Sequence, residues 1–183
     1  MQELRDRVAV VTGAASGIGF ALAARFAGES MKVVMADIEA AALATAADEL
    51  RGKAPDILAT QIDVSRPDDV ERLARETYAA FGAAQVLCNN AGVAVIGGVH
   101  EHSLADWQWV INVNLWGVIH GVRAFVPRML AAGHDAHIVN TASMAGLTTA
   151  PFYIVPAQPE VKAGAALRAQ DIIELRNPTL RGA

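Results

Sequence analysis

Residues 12–19 read Thr-Gly-Ala-Ala-Ser-Gly-Ile-Gly, directly after the apolar run Val8 to Val11 and directly before an Ala/Leu-rich segment, so three glycines fall on a strand-to-helix turn. Without a Cβ, Gly13 lets the backbone turn tightly, while Gly17 and Gly19 let it approach a pyrophosphate. The first N–H groups of the helix and its dipole favour that negative charge. An acidic residue, Asp37, closes the next apolar run, Lys32 to Ala36, about twenty residues on. Strand, glycine turn, helix and distal acid in this order form the pattern of a dinucleotide-binding turn. The glycines taken alone also fit a turn that holds no ligand.

The rest of the chain repeats the same alternation. Short apolar strands are expected at 7–12, 32–36, 57–62, 85–89 and 137–142, and helices at 17–29, 39–51, 67–81 and 104–132. Strands alternating with helices imply an α/β fold, a Rossmann-like doubly wound parallel sheet covered on both faces. Start signals support two of the helices. Ser65 with Pro67, Asp68 and Asp69 reads as an N-cap followed by first-turn acids, and Ser103-Leu-Ala-Asp106 has capping-box spacing. With 183 residues and 53% apolar content, the chain fits one domain with one core.

Composition excludes several function classes. A formal charge of −4 without any Lys/Arg cluster argues against a nucleic-acid partner. The single Cys88 reads as a small buried hydrophobe, and one cysteine cannot build a disulfide framework, which suits a reducing, cytoplasmic compartment. Residues 77–100 carry no Asp, Glu, Lys or Arg, yet Asn89, Asn90 and four glycines interrupt them. A strand and a glycine-rich loop explain them better than a membrane span. The start, Met-Gln-Glu-Leu-Arg-Asp-Arg, has no apolar signal core. His100, His102, His120, His134 and His137 lack metal-ligand spacing, so no metal is expected.

The chain resembles the short-chain dehydrogenase/reductase family over residues 5 to about 150 on four signposts besides the Thr-Gly-x-x-x-Gly-x-Gly turn. They are Asp63-Val64, Asn89-Asn90-Ala91-Gly92, Asn114 in Asn-Val-Asn-Leu-Trp-Gly, and Ser143 in Ile-Val-Asn-Thr-Ala-Ser. The resemblance implies hydride transfer between NAD(H) and a secondary alcohol or ketone. It assigns Thr12, Gly13, Ser16, Gly17, Ile18 and Gly19 to the cofactor, together with Asp37, Asp63, Val64, Asn90, Ala91 and Gly92. Ser143 would hydrogen-bond the substrate oxygen, and Asn114 would hold a water in the proton relay. Asp37 would accept the adenosine ribose hydroxyls and repel a 2′-phosphate. Ala14, Ala15 and Ser16 offer no basic side chain, so NAD is favoured over NADP. Simpler roles stay open: Asp37 as a solvated acid at a helix start, Asp63 as a strand-end cap, Asn90 and Gly92 as loop shapers, Ser143 as a strand-end hydroxyl, Asn114 as a helix-bending residue.

The resemblance breaks where the family places its acid/base tyrosine, thirteen residues after the serine, and its lysine four later. Pro156 and Glu160 stand there, and no Tyr-x-x-x-Lys occurs anywhere in the chain. Tyr153 and Lys162 are separated by Pro156 and Pro159 and cannot share one continuous helix. The segment 151–183 reads instead as a C-terminal strand at 152–155 and a helix near 159–175 with Ile172, Ile173 and Leu175 turned inward. An internal deletion near 150–152 would join the fifth strand to such a tail; the other reading is that the segment is missing from the sequence alone.

Two functions follow: an NAD-dependent oxidoreductase acting on a small alcohol or ketone, or a non-catalytic NAD-binding remnant or partner subunit. Loss of the helix bearing the tyrosine would bare Trp109 and Trp116, so self-association or a homo-oligomer is expected, with the 152–155 strand covering the open edge beside 137–142.

Overall fold

Each central strand sends alternate residues to opposite layers, and both sets are apolar. In β1 (Val8–Thr12), Ala9 and Val11 join one core cluster, and Val8 and Val10 join the other. Such doubly buried strands require helices on both faces. The computed structural model describes residues 3–52, 54, 56–143 and 170–175. Its elements are β1, α1 (Gly17–Gly28), β2 (Lys32–Asp37), α2 (Ala40–Arg51), β3 (Ile57–Gln61) and α3 (Pro67–Phe81). They continue with β4 (Val86–Asn89), α4 (Leu104–Ile111), α5 (Gly117–Ala132), β5 (Ala136–Thr141) and β6 (Gln170–Leu175).

The sheet order is β3-β2-β1-β4-β5-β6, parallel through β5. Order reverses beside β1, so a crevice opens at the carboxyl ends of β1 and β4, the switch point where ligands of such sheets bind. Residues of α1 and α2, including Ala23, Ala27, Leu43 and Leu50, pack on one face. Residues of α3 and α5, including Leu73, Ala124, Phe125 and Met129, pack on the other. Phe125 is fully buried, which contributes about 1.5–3 kcal/mol relative to exposure. Arg128 on α5 pairs with Glu71 on α3 and ties the two helices together. Burial pushes the Cys88 thiol up to about 12, so it stays protonated inside the sheet as a small hydrophobe.

The helix expected over 104–132 is interrupted at Asn112–Trp116 by π-helical turns. The Ser103/Asp106 capping box forms, with the Ser103 Oγ accepting from the Asp106 N–H at 3.2 Å and Asp106 Oδ2 accepting from the Ser103 N–H at 2.9 Å. The cap expected at Ser65 does not. Pro67 occupies the first helical position, so the N-cap falls on Arg66, and the Ser65 N–H is bound by the Asp63 carboxylate at 2.9 Å.

A second correction concerns the tail. Residues 170–175, expected in a helix, form strand β6, which pairs antiparallel with β5 from Ala136↔Leu175 to Thr141↔Gln170. In the sequence, Ile172, Ile173 and Leu175 read as the inward face of a helix; the open edge of β5 offers six residues of backbone partners, and paired β-branched Ile172 and Ile173 suit a strand. The edge beside β5 is therefore covered as expected, but by different residues; 152–155 lies outside the described residues.

Candidate functional site

Three glycines of the 12–19 turn serve three different needs. Gly13 sits at φ +65°, and a Cβ there would stand 2.8 Å from the Ala91 Cα, so it needs glycine both for its conformation and for contact with the loop after β4. Gly19 is buried, and its Cβ would fall 1.9 Å from the Gly13 carbonyl oxygen. The turn itself therefore occupies the place of a side chain there. Gly17, at φ +55°, faces open space, with nothing within 4 Å of a Cβ built there. Beside it begins α1, whose first turn carries no acid and whose Ser16 makes no side-chain cap. An open backbone turn at an uncapped helix start fits the phosphates of a dinucleotide. Ser16 and Ile18 are exposed on the same rim.

The turn is fastened to the neighbouring strand end by Thr12 and Asn90. The Thr12 hydroxyl accepts the N–H of Asn90 at 3.0 Å and of Ala91 at 3.1 Å, and donates to the Cys88 carbonyl at 3.3 Å. Asn90 returns the contact through Nδ2 to the Thr12 carbonyl at 3.0 Å, and its Oδ1 accepts from the Thr141 hydroxyl at 3.0 Å. Three strand ends, β1, β4 and β5, are thus laced together under the crevice. Thr12 and Asn90 act here as framework, and Thr141 belongs to the same framework although no local signal singles it out.

Two acids sit at the far end of the crevice. Asp37 accepts the Ala15 N–H at 2.9 Å on one oxygen and the Glu39 N–H at 3.1 Å on the other, which binds the end of β2 to the glycine turn. Each oxygen keeps a lone pair for ribose hydroxyls. Asp63 is part of a tight loop in which its own N–H donates to Asp69 Oδ2 at 3.0 Å. That bond, aided by Arg72, holds the Asp69 carboxyl below its ordinary range. Asp69 was legible only as a first-turn acid; in the structure it also shapes the Asp63-Val64 loop.

At the other end, Asn114 lies in the π-helical segment and grips Val93 with both groups of its amide. Oδ1 accepts from the Val93 N–H at 2.8 Å, and Nδ2 donates to the Val93 carbonyl at 2.8 Å. One N–H and one lone pair remain for a water. Gly92 passes directly under this amide, 3.5 Å from the position of a Cβ to Asn114 Oδ1. Ser143 is exposed two residues beyond the carboxyl end of β5. Tyr153, Pro156, Glu160 and Lys162 lie outside the described residues. Among the described residues, no cluster of three His, Cys, Asp or Glu side chains could hold a metal, and no helix is long and apolar enough to cross a membrane.

A glycine turn open at an uncapped helix start, with an acid at the end of the next strand and both at a sheet switch point, defines a dinucleotide-binding α/β protein. The chain belongs to the short chain dehydrogenase family, whose match covers residues 7–156. It is 41% identical to 1-deoxy-11-beta-hydroxypentalenate dehydrogenase of Streptomyces arenae, over 97% of this chain and 64% of that protein. To the C alpha-dehydrogenase of a Sphingobium species it is 40% identical, over 80% of this chain and 48% of the relative. Among solved structures, a short chain dehydrogenase/reductase from Burkholderia phymatum in complex with NAD superposes with a TM-score of 0.82 at 47% identity. That match covers 83% of this chain and 54% of the other. The chain thus spans between about half and under two thirds of the length of these relatives.

Proposed function

We propose that the chain binds NAD(H) at the switch-point crevice and that its site is laid out for hydride exchange with a secondary alcohol or ketone. The observation that carries the reading is the pairing of an open Gly17 cradle with Asp37 at the end of β2. Gly17, Ile18 and the start of α1 would hold the pyrophosphate; Asp37 would take the adenosine ribose, and Asp63 and Val64 the adenine side. Asn90, Ala91 and Gly92 would flank the nicotinamide half. Bound NAD supplies the hydride acceptor. Ser143 would hydrogen-bond the substrate oxygen, and the free half of the Asn114 amide would hold a water. The NAD complex of the Burkholderia phymatum relative supports the cofactor, and the relatives named as dehydrogenases support the reaction class. A single cysteine, Cys88, cannot build a disulfide framework, which fits a reducing compartment and makes the proposed location cytoplasmic.

A second reading, a non-catalytic NAD-binding remnant or partner subunit, is favoured by the absence of any Tyr-x-x-x-Lys. Both readings share one expectation about the cofactor. NAD should bind at least about tenfold more tightly than NADP, because a 2′-phosphate beside Asp37 meets a like charge. Titration calorimetry with the two cofactors checks this, and Asp37→Ala should narrow the gap. Equal or tighter binding of NADP by the unmodified chain overturns the role of Asp37.

The α4–α5 side offers an apolar surface: Trp109 is 49% exposed, Trp116 46% and Leu130 54%. We assign self-association of the chain to this side, since patches of that kind rarely stay bare in water. Light scattering should report a dimer or larger species; a stable monomer at high protein concentration rules it out.

A further inference from the structure

We propose that His120, on α5, is a positioning residue for the adenine side of the cofactor site; this rests on the reading above that Asp63 and Val64 flank the adenine. Val64 is held from α5 at two points. Its side chain fits a notch left by Gly117, where an added Cβ would stand 3.0 Å from Val64 Cγ2. One turn further along the same helix face, His120 Nδ1 lies 3.0 Å from the Val64 carbonyl oxygen. A carbonyl only accepts, so Nδ1 carries the proton and donates it.

The orientation of the ring is set from its other side. The Trp116 indole stacks on it at 5.9 Å between centroids and 29° between planes. Among the described residues, the bonds from the Asp63 N–H to Asp69, from the Ser65 N–H to Asp63 and from the Arg66 N–H to the Asp63 carbonyl lie within residues 63–69. They fix the turn internally. The His120 hydrogen bond ties the turn to the layer behind it. The same helix face also holds Asn89, whose carboxamide oxygen would be 2.2 Å from a Cβ at Gly121. One face of α5 therefore braces both walls of the crevice, and His120 is its polar contact with the adenine wall.

The test separates the hydrogen bond from the ring. His120→Phe keeps the stack on Trp116 and cannot donate; His120→Asn restores a donor near the Nδ1 position. Binding of NAD, AMP and nicotinamide mononucleotide is measured for each, alongside thermal unfolding. His120→Phe should bind NAD and AMP about five- to tenfold more weakly, the scale of one lost hydrogen bond, with the mononucleotide unchanged. His120→Asn should recover most of the loss. Unchanged AMP affinity in His120→Phe, or equal losses for AMP and the nicotinamide mononucleotide, overturns the inference while leaving the cofactor reading intact. An unmodified chain that binds no NAD overturns that reading and this inference with it.

Discussion

Turnover of secondary alcohols and ketones by this 183-residue chain is expected to be undetectable in steady-state assays with NAD or NADH. The serine and asparagine that resemble the family's are present, but each would assist a proton transfer that needs a group to give or take the proton. A phenol does this near neutral pH only with help, because its ordinary pKa is about 10. The lysine that gives such help within a family Tyr-x-x-x-Lys turn has no counterpart here. Loss of a positioned acid/base group costs on the order of 10² to 10⁴ in rate, and loss of substrate orientation adds to it. Tyr153 is the one residue that could disprove this. Robust activity that disappears in Tyr153→Phe would mean that Tyr153 and Lys162 meet in spite of the two prolines between them.

The second large effect is expected at Gly19. An alanine there would press its Cβ to 1.9 Å from the Gly13 carbonyl and 2.6 Å from Asn90 Nδ2, and the nearer partner is backbone that cannot swing aside. Overpacking of this kind costs about 3 kcal/mol, or about 10 °C in Tm for a domain of this size. NAD binding should be lost with it, since the turn and Asn90 are displaced together. Gly17→Ala is the contrast. Nothing occupies the space around it, so only its left-handed conformation is penalised, by about 1–2 kcal/mol. Its Cβ would nevertheless stand in the turn proposed for the phosphates. Gly17→Ala should thus stay folded and bind NAD more than about tenfold more weakly. Unfolding curves and calorimetry on the pair decide the matter, and a greater stability loss for Gly17→Ala than for Gly19→Ala refutes the division of roles.

The strands and helices through residue 141 were readable because each carries its own signal. Continuous apolar runs mark β1 and β2, Pro67 with Asp68 and Asp69 marks the start of α3, and Ser103 with Asp106 marks α4. What could not be read were features set by where the chain folds back on itself or meets another strand. Nothing local distinguishes Gly17 from Gly19; only the carbonyl of Gly13 folding back beneath the helix makes one a packing residue and the other an open one. The role of Thr12 as an anchor depends on Asn90 and Ala91, and that of Asp69 on the Asp63 amide. Strand β6 escaped for a related reason. Gln-Asp-Ile-Ile-Glu-Leu has no strong preference, and the free edge of β5 chooses for it.

The lacing of Thr12 to Asn90 joins residues 78 positions apart, and the Val8 amide meets Gln85 across 77. Contacts so far apart in the chain close late, because the loop entropy comes due before any pairing repays it. During synthesis the glycine motif, α1 and Asp37 leave the ribosome well before Asn90 does, so the first βαβ unit must wait with its turn tied to β2 but not yet to β4. A fragment ending between β3 and β4 would carry every glycine of the motif and the acid that faces them, yet hold neither of the bonds that keep Gly13 against Ala91. A pulse-labelling experiment on refolding should find the Asn90 and Ala91 amides among the last to be protected. The most local signature in the sequence acquires its working shape from some of the least local contacts in the fold.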